Sequence, residues 1–367
     1  MTIIIFIAVL VLLILVHELG HFLAAKFFKI RVDEFGIGFP PRLTTLFWWG
    51  ETRFTLNAIP FGGFVKIFGE DPDEESIEGP ERERSFVNKN RAVQAIVLTA
   101  GVFFNALLAL IFITLAFTMG MPVSSGVYDA EYIKDPKATV VYIMEDSPAL
   151  SAGFEIGDVL LTARSIEGEE RAIEGTEDLS QFLAGRAEEE VTISYIRHGE
   201  EREVVVVPME GVIDRDVAAV GLGINTVGIV SFPPHLALIE GTKHTVKLTG
   251  IIAVELVSFI KNAITGQADF SEVAGPVGIV GLVGDAWAVG FAFLLYFTAI
   301  ISLHLTIINL FPFPALDGGR LLFVAIESVT RRTINPQIAN ALNGIGFVLL
   351  IILMIAVTAS DISKLFG

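Results

Sequence analysis

The sequence predicts a polytopic α-helical membrane protein with about four transmembrane helices, a membrane-associated β-element and an inserted β-rich domain. Of the 367 residues, 53% are hydrophobic and the mean hydropathy is +0.65, which is too apolar for a typical soluble protein. Four apolar runs reach or exceed the roughly 20 residues that a bilayer-spanning helix needs. A polar, acidic segment with strand-like runs separates the second apolar run from the third, and it predicts a domain outside the membrane.

Charge and cysteine content exclude two classes of site. The chain has a formal net charge of −17, with its acids concentrated in 70–83 and 129–216. A nucleic-acid partner is therefore not expected, because nucleic-acid-binding proteins offer basic surfaces to phosphates. The chain has no cysteine, so it can form neither a disulfide framework nor a thiolate metal site.

The first predicted span, residues 2–25, contains a His-Glu-x-x-His pattern at His17, Glu18 and His21. Residues four apart lie on one face of a helix, so the two His side chains can hold one metal ion. Glu18 then lies beside the metal, where its carboxylate can take a proton from metal-bound water. The pattern also occurs by chance, but polar groups are costly inside a span and by default mark a functional site.

Residues 31–70 predict the membrane-associated β-element. Segments 52–57 and 64–68 have strand composition, with a turn at 60–63 between them. Two interpretations stay open: an interfacial hairpin, or an exposed strand edge that pairs with an extended substrate. The acidic stretch 70–84, rich in Pro and Gly, predicts a solvated mobile loop.

The second predicted span, residues 92–119, carries the strongly polar side chain of Asn105 in its middle. A lone Asn in a span is most often a contact between packed helices, and a position near the metal is the alternative. With the first span and the β-element, this span forms the predicted first half of a membrane core, residues 1–120.

Residues 121–230 predict the β-rich domain. Within it, residues 147–160 resemble the signature of a PDZ domain, with a short helix, a turn at Gly157-Asp158 and then a strand. Residues 221–224 are a candidate for the backbone loop that holds a peptide terminus in such domains. A small β-rich domain without a ligand is the alternative.

Residues 231–285 predict an amphipathic interfacial region. The segment 246–264 is apolar but interrupted by three charges that fall roughly on one face, which favours a helix lying in the membrane interface. The Gly-Pro pair at 275–276 predicts a break in the chain after this helix.

The predicted second half of the membrane core occupies residues 286–367. Its spans are predicted at 287–311 and 339–358, and between them two prolines and two glycines predict irregular backbone that carries Asp317. Irregular backbone at membrane depth is tolerated only where it is buried in protein or lines a cavity.

Basic residues flank the predicted spans on one side, which should therefore face the cytoplasm. They are Lys26, Lys29, Arg31, Lys89, Arg91, Arg320, Arg331 and Arg332. We expect a multi-pass protein of the plasma (inner) membrane with the 121–230 domain extracytoplasmic. His17, His21 and Asp317 then share one depth toward the cytoplasmic side, and two His with one carboxylate leave a zinc ion an open position for water.

Together these motifs resemble the site-2 protease family of intramembrane zinc metalloproteases, in the bacterial or archaeal form that performs regulated intramembrane proteolysis and has a single PDZ domain. They follow the family's order along nearly the whole chain: HELGH at 17–21, PFGGFVKI at 60–67, the PDZ signature, GPVGI at 275–279 and NLFPFPALDGGR at 309–320. The resemblance implies one Zn²⁺ per chain, held by His17, His21 and Asp317, with Glu18 as the catalytic base.

The same resemblance implies that the substrates are single-span membrane regulators such as anti-sigma factors, cut within or near their spans after trimming by another protease. The PDZ domain is expected to bind peptide termini and to exclude untrimmed substrates, and the protein also contacts the lipid bilayer. Residues 52–68 are expected to pair with the unwound substrate helix. The residues expected to contact substrate are Asn105, Gly62, Gly63, His304, Asn309, Pro312 and Pro314.

Two positions depart from the family pattern, which usually has Pro and Asn where this chain has Val102 and His304. They affect the expected substrate fit and leave the metal ligands untouched. The alternative function is a catalytically inactive, zinc-binding membrane adaptor that captures peptides through its PDZ domain. Glu18 favours the hydrolase, because an adaptor does not need a carboxylate beside the first metal ligand.

Overall fold

The computed structural model describes residues 1–71, 73–124, 130–144, 146–197, 199–212, 217–267 and 273–366. The chain forms two compact units, of which the first combines Met1–Thr114 with Ile239–Gly367 and the second is Leu115–Leu238. Parts of the predicted 121–230 domain lie outside the described residues, namely 125–129, 145, 198 and 213–216.

Within these ranges the helices are α1 (Thr2–Phe27), α2 (Glu74–Glu78), α3 (Arg91–Met119), α4 (Pro148–Ser151), α5 (Thr176–Leu183), α6 (Pro234–Ile264), α7 (Pro276–Val289), α8 (Phe291–Leu310), α9 (Asp317–Thr330) and α10 (Pro336–Phe366). The strands are β1 (Val32–Trp49), β2 (Thr52–Ile67), β3 (Met121–Ser124), β4 (Ile133–Ile143), β5 (Val159–Ser165), β6 (Glu170–Ala172), β7 (Val191–Arg197), β8 (Glu200–Val206), β9 (Met209–Glu210), β10 (Ala218–Ala219) and β11 (Leu222–Val230).

Four of the described helices are long and apolar enough to cross a membrane: α1, α3, α8 and the Gln337–Lys364 part of α10. This agrees with the four spans that the sequence predicts. The predicted start of the third span at residue 287 is wrong, because α7 ends at Val289 and Gly290 separates it from α8. Gly290 has a φ of 141°, which residues with a side chain rarely adopt, so one helix cannot run through it.

Helix α6 is longer than the predicted amphipathic segment and contains all of it. It is not one of the four described helices that are apolar enough to span a membrane. The Gly-Pro pair that predicts a break lies at the start of α7, where Gly275 is the N-cap. Proline is favoured in the first turn of a helix, because its missing N–H has no partner there in any case.

The predicted β-element consists of β1 and β2, which pair with each other. Strand β1 is absent from the prediction, because Gly36, Gly38 and the Pro40-Pro41 pair interrupt its apolar pattern. Strand β2 includes the first predicted strand and all but the last residue of the second. The predicted turn at 60–63 is wrong, because the strand continues through these residues.

The pairing of β1 with β2 leaves one edge of the β-element open. Ile37 in β1 pairs with both Gly63 and Leu56, so segment 32–37 lies between segments 63–67 and 53–56 of β2. In the described part of the chain, β2 pairs with no strand other than β1. Segment 63–67 is therefore an edge, as one of the two interpretations of the sequence requires.

The segment predicted as a solvated loop, 70–84, contains the short helix α2 in the part that the structure describes. Helix α2 begins with a capping box, in which the Ser76 N–H donates to Asp73 Oδ1 over 2.8 Å and the Asp73 N–H donates to Ser76 Oγ over 2.9 Å. These bonds satisfy backbone groups that the first turn of a helix leaves free. Arg31 also donates to Glu81 over 2.7 Å, so this segment is tied to the start of β1.

The second unit contains a sheet with the strand order β3-β11-β4-β5-β7-β8, and β6 pairs with β5. Its core includes the fully buried side chains of Leu160, Phe182 and Ile193. The helix, turn and strand of the predicted signature are present as α4, a turn in which Gly157 has a φ of 98°, and β5.

A buried ion pair ties this turn to β7. Arg197 donates from Nε to Asp158 Oδ1 over 2.7 Å and from Nη2 to Oδ2 over 2.6 Å. These hydrogen bonds raise the pKa of Arg197 above its usual range. A bidentate pair of this kind fixes the geometry of the turn as well as its charge.

Candidate metal centre

Three side chains from α1 and α9 bring one ligand atom each to a common point. His17 Nε2 lies 3.0 Å from Asp317 Oδ2, and His21 Nε2 lies 3.3 Å from the same oxygen. The two Nε2 atoms lie 3.2 Å apart. The sequence predicts these three residues as metal ligands, and the structure brings them together although 300 positions separate His17 from Asp317.

The donor set and its spacing fit zinc. Zinc–ligand bonds to His nitrogen and carboxylate oxygen are about 2.0–2.2 Å long, which puts neighbouring ligand atoms of a tetrahedral site about 3.3 Å apart. The three distances between ligand atoms here, 3.0 to 3.3 Å, are close to that expected value. Two imidazoles and one carboxylate also leave the fourth position that catalytic zinc sites keep open.

Helix α3 contacts the outer nitrogen of each His ring. His21 Nδ1 lies 2.8 Å from the backbone oxygen of Val97, so a proton on Nδ1 has an acceptor and Nε2 is free for a metal. His17 Nδ1 lies 3.2 Å from Asn105 Nδ2. Asn105 therefore lies against a candidate metal ligand, which favours the second of the two interpretations of this residue. Asn105 also joins α3 to α8, because its backbone oxygen accepts a hydrogen bond from Ser302.

Asp317 reaches the two His residues through a tight reversal between α8 and α9. The sequence predicts Asp317 within irregular backbone, but the irregular part ends at Leu316 and Asp317 is the first residue of α9. A Cβ on Gly318 would lie 2.3 Å from the Phe311 oxygen, and one on Gly319 would lie 2.2 Å from the Phe313 oxygen. Only glycine fits at these two positions, so the Asp-Gly-Gly sequence is what lets the chain turn back.

The charge of Asp317 is stabilised by its surroundings. Burial alone raises the pKa of this carboxyl, but its contacts with His17 and His21 outweigh burial and hold the pKa below its usual range. The N-terminus of α9 also favours a negative charge. Asp317 therefore stays ionised at neutral pH, as a metal ligand must.

Two glycines that the sequence reasoning did not identify allow α1 and α3 to approach closely. A Cβ on Gly20 would lie 2.4 Å from the Ala100 backbone oxygen, and one on Gly101 would lie 2.4 Å from His21 Nε2 and 2.8 Å from His17 Cε1. Small residues on facing spans are the usual means of close helix packing in membranes, and that pattern was a signal available in the sequence.

Gly101→Ala is expected to weaken zinc binding by about tenfold or more, comparable to the loss of an outer contact of a metal ligand. The new methyl group must displace the His21 ring, because it would lie 2.4 Å from Nε2. Zinc affinity of the purified protein is measured by competition with a chelator. Gly250→Ala in α6 is the matched control, since a Cβ there would have no atom of the described residues within 4 Å. Equal zinc affinity in both variants would contradict the contact.

Glu18 lines the same cavity as the three ligand candidates. The cavity has a volume of about 690 Å³ and is lined by His17, Glu18, His21 and Asp317 together with part of β2. A Cβ on Gly63 would lie 3.4 Å from Glu18 Cγ, so the open edge of β2 passes beside this carboxylate.

An ion pair that the sequence reasoning missed lies in the cavity wall. Arg320, one helical turn after Asp317, donates to Glu70 at the end of the β-element. Burial raises the pKa of Glu70, and the nearby Glu70 carboxylate raises that of Arg320. The pair joins the β-element to the helix that carries Asp317.

The other residues predicted to contact substrate do not share this location. Within the described residues, the cavity lining does not include Gly62, His304, Asn309, Pro312 or Pro314. His304 is exposed on α8, and its Nδ1 donates to the Ile300 oxygen over 2.9 Å. Gly62 has a φ of 130° and packs against Phe39. Pro312 is exposed, whereas Asn309 and Pro314 are half-buried.

Comparison with known proteins assigns the chain to a family. Residues 5–353 match the family described as Peptidase family M50. A protein of Clostridium perfringens named as a candidate zinc metalloprotease is 35% identical over 352 residues, which cover 95% of each chain. The zinc metalloprotease RasP of Oceanobacillus iheyensis is 30% identical over 444 residues, covering 100% of this chain and 99% of RasP. The chain therefore belongs to peptidase family M50, the site-2 protease family of zinc metalloproteases.

Proposed function

We propose that this zinc metalloprotease holds its metal with His17, His21 and Asp317 and uses Glu18 as the general base. The observation that carries the proposal is the convergence of three ligand atoms within 3.0–3.3 Å of one another in a cavity that Glu18 also lines. The inactive-adaptor alternative is not favoured, because it gives the Glu18 carboxylate no task.

The chemistry follows from the positions of these side chains. His17, His21 and Asp317 would hold the zinc ion, which when bound would lower the pKa of a water molecule and polarise the scissile carbonyl. Glu18 takes the proton from the attacking water and passes it to the leaving amine, so the same carboxylate serves both halves of peptide hydrolysis. Contacts with α3 hold the rings of His17 and His21 in place. Asp317 is positioned as the first residue of α9.

We propose that segment 63–67 of β2 pairs with an extended stretch of substrate. A helical substrate cannot be cut, because its carbonyls are already hydrogen-bonded, and unwinding it in a membrane leaves polar groups unsatisfied. An open strand edge can satisfy them by adding the substrate as a further strand. Support comes from the pairing of 63–67 with β1 on one edge and from the closeness of Gly63 to Glu18.

The substrates proposed are single-span membrane regulators, such as anti-sigma factors, that another protease has already trimmed. The second unit is proposed to be a PDZ domain that binds peptide termini and excludes untrimmed substrates. Its support is the α4-turn-β5 signature and the position of α5, where Thr176 donates to the Ile224 oxygen over 2.7 Å. This contact sets α5 beside the first half of β11, which contains residues 222–224 of the candidate peptide loop.

The experiment that tests this function compares trimmed and untrimmed single-span substrates, each incubated with the purified protein in detergent. We expect cleavage within or near the span of the trimmed form, and little cleavage of the untrimmed form. Deleting residues 126–225 should raise cleavage of the untrimmed form if the second unit acts as a filter. The deletion leaves Ser124 and Val227, which pair with each other in the intact protein, so a short linker can join its ends. Loss of all cleavage by a stable deletion protein would favour recruitment over filtering.

The proposed topology places the second unit outside the cytoplasm and the metal centre toward the cytoplasmic side of the plasma membrane. The chain has no cysteine, so single cysteines report accessibility without background. A cysteine at the exposed Ser180 should react with an impermeant reagent from outside intact cells. A cysteine at the exposed Glu83 is the control and should react only after the cells are opened. The reverse pattern would overturn the topology.

A further inference from the structure

The outer nitrogen of a metal-binding His needs a defined partner, and α3 offers one to each His of this site. Val97, Gly101 and Asn105 follow one another at intervals of four residues and so lie on one face of α3. That face meets α1, since Gly101 lies against both rings. His21 Nδ1 lies 2.8 Å from the Val97 backbone oxygen. His17 Nδ1 lies 3.2 Å from the side-chain amide of Asn105.

The hydrogen positions in the second contact follow from the metal chemistry. When His17 binds a metal through Nε2, its Nδ1 carries the proton and is a donor. The amide atom 3.2 Å away is assigned as Nδ2, which is also a donor. Two donors that face each other repel, so the amide must present Oδ1 to the ring instead. A half-turn of the amide exchanges the two atoms without moving the rest of the side chain.

Asn105 is buried, so its side chain must find its hydrogen-bond partners within the protein and not in solvent. The residue is 0% exposed, and its Oδ1 has no hydrogen-bond partner among the described residues. Leaving a buried acceptor unpaired is costly, so a donor in reach should be used. Its backbone oxygen is already bonded to Ser302, so the backbone position of the residue is fixed by α8.

We propose that Asn105 is a positioning residue for the metal centre, whose Oδ1 accepts a hydrogen bond from Nδ1–H of His17. The bond selects the ring tautomer with a free Nε2 and holds that atom toward His21 and Asp317. Asn105 does for His17 what the Val97 oxygen does for His21. The inference rests on the proposed role of His17 as a zinc ligand, and it gives Asn105 a task other than contact with substrate.

The test measures zinc affinity by chelator competition on purified protein, without reference to cleavage. Asn105→Leu keeps the size of the side chain but removes the acceptor, and we expect zinc to bind about 10–100-fold more weakly. Asn105→Asp keeps acceptors at the same place and removes the donors, so its affinity should stay within a few-fold of the wild type. Thr298→Val is the control, because Thr298 is a buried residue of α8 that donates within its own helix. It should leave zinc affinity unchanged.

The possible outcomes separate this inference from the site itself. Wild-type zinc affinity in Asn105→Leu, together with lost zinc in His17→Ala, would overturn the inference and leave the site standing. Retained zinc in His17→Ala would overturn the site. If Asn105→Leu cannot be purified in folded form, Asn105→Asp decides alone. A folded Asn105→Asp protein that binds zinc more than about tenfold more weakly contradicts the acceptor role, since the acceptor is still present.

Discussion

Glu18→Gln should lower the rate of peptide cleavage by about 10²–10⁴-fold while zinc stays bound. A positioned general base typically contributes that factor, and Gln keeps the size and the hydrogen-bonding capacity of Glu but cannot accept the proton. The zinc should remain because the three ligand atoms converge without Glu18, which lines the same cavity beside β2. The measurement pairs zinc content with the cleavage rate of a trimmed single-span substrate in detergent.

One control variant and one binding measurement complete this test. Glu75→Gln changes another carboxylate of the same cavity lining, and it should leave cleavage close to that of the wild type. Substrate should still bind to Glu18→Gln and accumulate as a complex, since the variant blocks proton transfer only. Near-normal cleavage by Glu18→Gln would exclude Glu18 as the base. An equal loss in the control would point to a general effect of cavity charge.

His17→Ala and Asp317→Ala should each lose zinc and with it nearly all cleavage. Removing a metal ligand costs more than removing an outer contact of that ligand, which already lowers affinity about 10–100-fold. Two remaining ligands cannot build the three-ligand site that catalytic zinc requires. The measurement is the zinc content of purified protein after dialysis against a weak chelator. Full zinc retention in both variants would rule out this set of ligands.

His304→Ala is the matched control for these ligand variants. His304 lies on α8, is exposed, and is not part of the group of His and Asp side chains that converge. Its loss should leave zinc content unchanged, so a fall in zinc for this variant would show that any His substitution destabilises the protein. With that control, the loss in His17→Ala is attributed to the ligand itself.

The sequence by itself determined the four candidate spans, except for the start of the third, and the identities of the metal-ligand candidates. Apolar runs long enough to cross a bilayer are a property of consecutive residues, and so is the spacing of His17 and His21 on one helix face. Asp317 could be predicted from the sequence as well, because spans that are predicted to alternate in direction place the end of the third span at the predicted depth of His17. Local pattern and chain direction are sufficient for these conclusions.

Tertiary structure alone decided what surrounds those ligands. The Asn105 contact with His17 joins positions 88 apart, and the Arg320–Glu70 pair joins positions 250 apart. No periodicity in the sequence encodes such pairs, because they depend on which helix faces meet. The close approach of α1 and α3 at Gly20 and Gly101 sets that meeting. The sequence therefore identifies the groups that can bind zinc, whereas helix packing decides which atoms hold those groups in place. The reason is that hydrogen-bond partners depend on distance in space and not on distance along the chain.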